Sequence, residues 1–171
     1  MKISKRMVLA AVLVCVPCGA YAQTLVSERS ISANAALDLA TASLEACRKH
    51  GSVVTITVLD RAGRTVAMVR DDGASPHSIE HSLRKAYTAL TYNMSSGEYG
   101  KRAVANPGSA GPLHLANITT AAGGLPIRAG NALVGAIGIS GTPGAKGGGT
   151  ADEGCAQTGI DRIAKGLSSG L

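Results

Sequence analysis

The 171-residue sequence has no phenylalanine, no tryptophan and only four tyrosines, and three of those (Tyr87, Tyr92 and Tyr99) lie beyond residue 22. Proteins that hold single-stranded nucleic acid stack bases on aromatic rings inside a basic groove. Both signals are weak here, so nucleic acid is set aside as a partner. Long apolar runs are also scarce. Beyond the N-terminus, nothing approaches the roughly 18 uninterrupted apolar residues of a membrane helix. The one early run, MVLAAVLVCVPCGA, follows Lys2, Lys5 and Arg6 and leads into Ala20-Tyr21-Ala22. A basic start, a short apolar stretch and a small-x-small ending form an export signal, with cleavage expected after Ala22. Cys18 raises a lipid-anchored alternative, which the preceding Cys15-Val16-Pro17 does not favour.

Cleavage leaves 149 of the 171 residues, a normal size for one domain with its own core. The leader takes three of the seventeen basic residues and none of the eleven acidic ones, which lowers the formal charge from +6 to +3. The basic character of the whole chain therefore says little about partners. The expected location is periplasmic or secreted, with no membrane attachment after cleavage. Cysteine is sparse as well: Cys15 and Cys18 leave with the leader, so Cys47 and Cys155 remain. Two cysteines so far apart cannot build a zinc site alone. In an oxidising compartment a Cys47–Cys155 disulfide is expected, with a pair of buried thiols as the alternative.

What is present reads as alternating helices and strands. After a polar lead-in over 23–31, Ser32 caps a helix running to about His50, with Leu37, Leu44 and Cys47 on its apolar stripe. Val53 to Leu59 and Arg64 to Val69 form a hairpin around Asp60-Arg61-Ala62-Gly63. Ser75-Pro76 opens a second helix, in which Ile79, Leu83, Ala86, Leu90 and Met94 share an apolar face opposite His77, His81, Arg84 and Thr88. Ser95-x-x-Glu98 caps a short third helix to about Val104. Three strands follow, ITTAA, LPIR and ALVGAIGIS, the last a buried central one whose glycines permit close approach. Thr150-x-x-Glu153 then caps a final helix to about Leu167. The order α-β-β-α-α-β-β-β-α has hairpins without helical crossovers, so the expected class is α+β, an antiparallel sheet of about five strands with helices packed on it.

Several familiar chemistries are missing. Gly135-x-x-Gly138-x-x-Gly141 lies on a strand with no helix directly after it, unlike a dinucleotide fingerprint, and Gly147 to Thr150 lacks the Gly-Lys-Ser/Thr ending of a phosphate loop. No serine sits in a nucleophile elbow. His77 and His81 are spaced i, i+4, which suits a metal ion or the flank of a flat ligand. Two ligands do not complete a metal site, and the third donor would come from among His114, Asp71, Asp72, Tyr87 and Met94. The competing reading places both rings on a solvated or subunit-contact face. Arg84 and Lys85 could meet a carboxylate. Asp71 and Asp72 also suit the positive end of the following helix, and His50 suits the negative end of the first.

The runs VTITVLDRAGRTVAMVRDDGASPHSIEHSLRKAYTA, GGLPIR, LVGAIGISG and DEGCAQTGID, in that order, resemble the GlcG/HbpS-like family of haem-binding or "haem-degrading" domains, also found as the C-terminal part of PduO-type proteins. The resemblance spans about residues 32–168. It implies a layered α/β/α domain that often self-assembles into homo-oligomers, and haem or another tetrapyrrole as ligand; iron or another divalent metal is the cofactor that the His77/His81 spacing, not the resemblance, suggests. It also carries the ligand expectation to His77, Lys85 and Arg128, which fall in the family-like motifs; His81 and Arg84, on the same helix face as His77, complete the candidate contact, and the i, i+4 spacing of His77 and His81 makes those two the metal candidates. Haem pockets offer large apolar walls, and a mature chain without Phe or Trp is better suited to a shallow or inter-subunit site. The expected role is a binding protein more than an enzyme. A metal-assisted or accessory factor acting on a small organic acid, and an interaction module without ligand, are the alternatives.

Overall fold

The computed structural model describes residues 25–169, so the expected leader and cleavage point lie outside the described residues. Helix α1 (Ala33–Lys49) starts where expected: the Ser32 hydroxyl accepts the Ala35 N–H at 3.2 Å. It ends on Arg48 and Lys49, cations suited to a helix C-terminus, before Gly51 turns the chain at φ 72°. The buried face differs from the expected stripe. Leu44 and Cys47 are buried, but Leu37 is 53% exposed and Leu39 takes its place beside Ala36, Ala40 and Ser43. Small residues at the centre of the face let α1 lie close to its neighbours, and Leu37 sits about a quarter turn away from that centre.

Strands β1 (Thr55–Asp60) and β2 (Thr65–Arg70) form the expected hairpin. Asp60 closes it by accepting both the backbone N–H (2.9 Å) and the Nε–H (2.8 Å) of Arg64. Helices α2 (His77–Tyr92) and α3 (Ser96–Ala105) follow, then a 3-10 turn over Pro107–His114. Strands β3 (Gly124–Ala129) and β4 (Ala132–Ser140) and helix α4 (Gly148–Ser169) complete the order. The sheet is antiparallel throughout, in the order β2-β1-β4-β3. No described helix is long and apolar enough to cross a membrane.

The class is α+β as expected, with four strands instead of five. Residues 118–122, expected as a strand, run as an irregular strap between Asn117 (φ 68°) and Gly123 (φ 128°). Three of their backbone donors are satisfied without a ladder: Ile118 N–H by the Leu115 carbonyl (3.4 Å), Thr119 N–H by the Thr88 hydroxyl (2.9 Å) and Ala121 N–H by the Thr119 hydroxyl (3.2 Å). A segment whose donors are satisfied this way has no need of a strand partner. The Thr150-x-x-Glu153 capping box is also absent, because α4 already begins at Gly148 and Glu153 turns elsewhere.

Two unlike layers cover the sheet. On one face, α1 and α4 pack together over Ile56, Val58, Ile127, Ile137 and Ile139, forming the main apolar core. The Cys47–Cys155 disulfide joins these two helices, with Cα atoms 5.4 Å apart. Arg48 of α1 also grips Asp71 just past β2 through a two-pronged ion pair, with the shortest contact at 2.7 Å. That guanidinium holds the Asp71 carboxyl below the usual aspartate range. On the other face α2 lies alone over β1, β4 and β3, and its apolar contact is small: Leu59, Ala86, Ala89, Leu90 and Ala136.

Candidate functional site on helix α2

Helix α2 opens at Ser75-Pro76, as its sequence indicates, although the cap is made by backbone. Pro76 already has helical angles, and the Ser75 carbonyl accepts both the N–H (3.0 Å) and the hydroxyl (2.6 Å) of Ser78. The face that α2 buries is largely not the apolar stripe. Ala86 and Leu90 are buried as expected, but Ile79 is 41% exposed, and Leu83 and Met94 are half-buried. Ser78, Ser82, Lys85 and Ala89 go inside instead.

Hydrogen bonding explains the exchange. Ser78 and Ser82, one turn apart on the helix, meet Thr55 and Thr57, two residues apart on β1, with oxygen separations of 2.6 and 2.7 Å. The two spacings match because four residues of helix rise about 6 Å and two residues of strand about 6.6 Å. Gly138 on β4 makes room for this approach, since a Cβ there would strike the Ser82 carbonyl oxygen. Buried hydroxyls with partners carry little penalty, so a polar face can sit inside.

Lys85 is an internal residue in this fold. It is 3% exposed and donates to Asp152 of α4 at 2.9 Å and to the Ile139 carbonyl at 2.8 Å. Asp152, 1% exposed, accepts the Thr142 N–H at 3.3 Å with its other oxygen. The neighbouring Glu153 accepts from the N–H groups of Gly97 and Gly123. The glycines that open GGLPIR belong to this junction, because a Cβ on Gly124 would run into the Lys85 carbonyl.

The remaining expected site residues divide by position. His77 is exposed and His81 half-buried, on the outward flank of α2 together with Arg84, which pairs with Glu80 at 2.6 Å. His81 Nδ1 lies 3.2 Å from the hydroxyl oxygen of Ser140 on β4. Burial lowers the His81 pKa below its usual 6.5, and the positive charges of Lys85, His77 and Arg84 push the same way against Asp152. Arg128 stands at the far end of the helix, where it donates to the side-chain oxygen of Asn93 at 2.6 Å. Twelve residues of helix separate Asn93 from His81, a span of about 18 Å. The other donors considered for a metal are placed elsewhere: Asp71 is taken by Arg48, Asp72 and His114 are exposed, Tyr87 lies beside Gly63 and Leu90, and Met94 follows the far end of α2. His50, which suits the end of α1, bonds the Lys146 carbonyl at 2.8 Å. Among the described residues, no three His, Cys, Asp or Glu side chains are grouped to hold a metal ion.

Sequence reasoning did not find Thr55, Thr57, Ser140 or Asp152. The paired spacing of Thr55/Thr57 and Ser78/Ser82 was a usable signal, but only once β1 and α2 were known to touch. A groove of about 1350 Å³ lies on the opposite face, among the lead-in, α1 and α4. Its lining includes Arg29, Asp38, Lys49, Arg162 and Ile163 but no histidine.

A four-stranded antiparallel sheet between a helix pair and a single histidine-bearing helix defines the class as a layered α/β/α domain. The chain belongs to the HbpS-like family of haem-degrading proteins, whose sequence profile matches residues 31–161. Among solved structures it is similar to HbpS of Streptomyces reticuli in a double-mutant form, with 34% identity and a TM-score of 0.74. That match covers 85% of this chain and 95% of the other. It is also similar to the PduOC:heme complex, with 26% identity and a TM-score of 0.69 over 78% of this chain and 95% of that one. A 15.0 kDa protein of Citrobacter freundii, from the dhaT-dhaS intergenic region, is 33% identical over 122 residues, 63% of this chain and 85% of its own length.

Proposed function

We propose that this chain is an exported, homo-oligomeric protein that holds haem or a related tetrapyrrole on the outward face of α2 at His77 and His81, and that it is a binding protein more than an enzyme. The observation that carries this reading is family membership together with a solved relative in complex with haem. The site's chemistry agrees with it. His81 is a half-buried imidazole whose lowered pKa keeps it neutral at neutral pH, and Arg84 on the same flank, paired with Glu80 at 2.6 Å, is a cation that a propionate would share. The groove lined by α1 and α4 has no histidine, and the pocket of about 320 Å³ beside α2, at Tyr87, Leu90 and Thr91, is small and has none either. A shallow site completed by a second copy suits that shape. Bound haem would supply a redox-active iron, while the chain's own groups hold and orient the macrocycle.

Titration of the mature protein with haemin tests this. A saturable Soret shift is expected, weakened by His77→Ala and His81→Ala, with a defined oligomer in light scattering. No shift, or one unchanged by both substitutions, overturns the assignment. For export, mass spectrometry of protein recovered from the periplasmic or culture fraction of a bacterial host is expected to find an N-terminus at Gln23.

A further inference from the structure

The hydroxyl protons along the α2–sheet interface can be assigned one at a time. The Ser78 oxygen lies 2.6 Å from the Ser75 carbonyl and 2.6 Å from the Thr55 hydroxyl. A carbonyl can only accept, so the Ser78 proton goes to Ser75, and Thr55 donates to Ser78. Ser82 repeats the arrangement: its proton goes to the Ile79 carbonyl at 3.0 Å, and Thr57 donates to Ser82. Ser140 stands beside these, paired with Thr55 across the sheet and 3% exposed. Its hydroxyl has one hydrogen-bond partner among the described residues, His81 Nδ1 at 3.2 Å. A buried O–H needs an acceptor more than its oxygen needs a second donor. Nδ1 therefore carries the lone pair that takes the Ser140 proton, and the ring's own proton stays on Nε2, which has no protein partner among the described residues.

We propose that His81 is an N–H donor for a carboxylate, with Ser140 as the positioning residue that fixes its tautomer, and that His81 is not a ligand to iron. The inference rests on the reading that the ligand lies on this face of α2. A metal ion needs the Nε2 lone pair, which this tautomer does not have. An oxygen acceptor needs the N–H, and Arg84 on the same flank, paired with Glu80 at 2.6 Å, is a cation that an incoming carboxylate can share. The carboxylate is either a propionate of the tetrapyrrole or a free small organic acid.

Nitrogen-15 NMR of the full mature chain at pH 7.5 reads the tautomer directly. The expectation is a bare Nδ1 and a protonated Nε2 on His81, lost to a tautomer mixture in Ser140→Ala and kept in Ser140→Thr. A protonated Nδ1, or an unchanged tautomer in Ser140→Ala, overturns the positioning role. Haemin and haemin dimethyl ester, which has no free carboxylates, test the ligand class. Haemin is expected to bind at least tenfold more tightly than the ester, with the gap closing in His81→Ala. Acetate and a small 2-hydroxy acid form the second arm, read at the His81 Nε2–H resonance. If only the free acids move that resonance, the haem reading fails while the donor assignment stands. If haemin shows a histidine-ligated iron spectrum that His81→Ala abolishes, the donor assignment fails while the haem reading stands. If neither carboxylate source perturbs His81, the ligand class is wrong.

Discussion

His81 is held below the ordinary histidine pKa first by burial and then by positive neighbours. The consequence for stability has a definite sign. Just under pH 6.5 the unfolded chain takes up a proton that the folded ring refuses, so the contribution of the neutral ring is complete above 6.5 and declines as the pH falls through the folded pKa. Urea denaturation followed from pH 7.5 to 5 is expected to show a falling midpoint that flattens in His81→Gln. A midpoint equally steep in the variant would place the proton uptake elsewhere. Tyr99 shows the same physics from the acid side. It is buried and stacked on Tyr92, with ring centres 4.1 Å apart, and burial pushes its phenol up to about 12, so it stays neutral at any physiological pH.

Among the elements, α2 carries most of the interest. Its tie to α4 is the Lys85–Asp152 pair, almost fully removed from water. Removing one partner strands a buried charge, which costs about 3–5 kcal/mol, whereas replacing both with apolar residues of similar size is far milder. Chemical denaturation is expected to rank Lys85→Met and Asp152→Leu as severe and the double variant as closer to wild type; additive losses would argue against a coupled pair. The element boundaries were legible where the signal was local. Ser32 and Ser95 cap α1 and α3 through their hydroxyls as their positions indicate, and Gly63 turns the hairpin. The inward face of α2 was not legible, because hydropathy scores Ser78, Ser82 and Lys85 as surface residues and their partners lie on distant segments. The strap at 118–122 failed for a related reason: ITTAA has strand composition, and only Thr88 on another element shows where its N–H groups go. In the candidate site, the exposure of His77 was readable from spacing, while the half-burial of His81 against Ser140, the internal role of Lys85 and the remoteness of Arg128 depend on tertiary packing.

Across the whole molecule, the two layers are held by different means. The α1/α4 layer rests on apolar burial and one covalent link. Closing a loop with a sequence separation of 108 residues restricts the unfolded chain, worth about 4–5 kcal/mol on chain-entropy grounds. Reduction, or the Cys47→Ala/Cys155→Ala pair, is expected to lower the melting temperature clearly in calorimetry while leaving the His81 resonances in place, since those belong to the other layer. The α2 layer rests instead on directional bonds. Sliding the helix by one turn would bring Ser82 to Thr55, leave Thr57 without its serine and carry Lys85 away from Asp152, so only one seating satisfies all three. The inner half of α2 thus works as a keyed mount. Substitutions on the outer half, at His77, Ile79 or Arg84, can retune what the helix grips without altering where the helix sits.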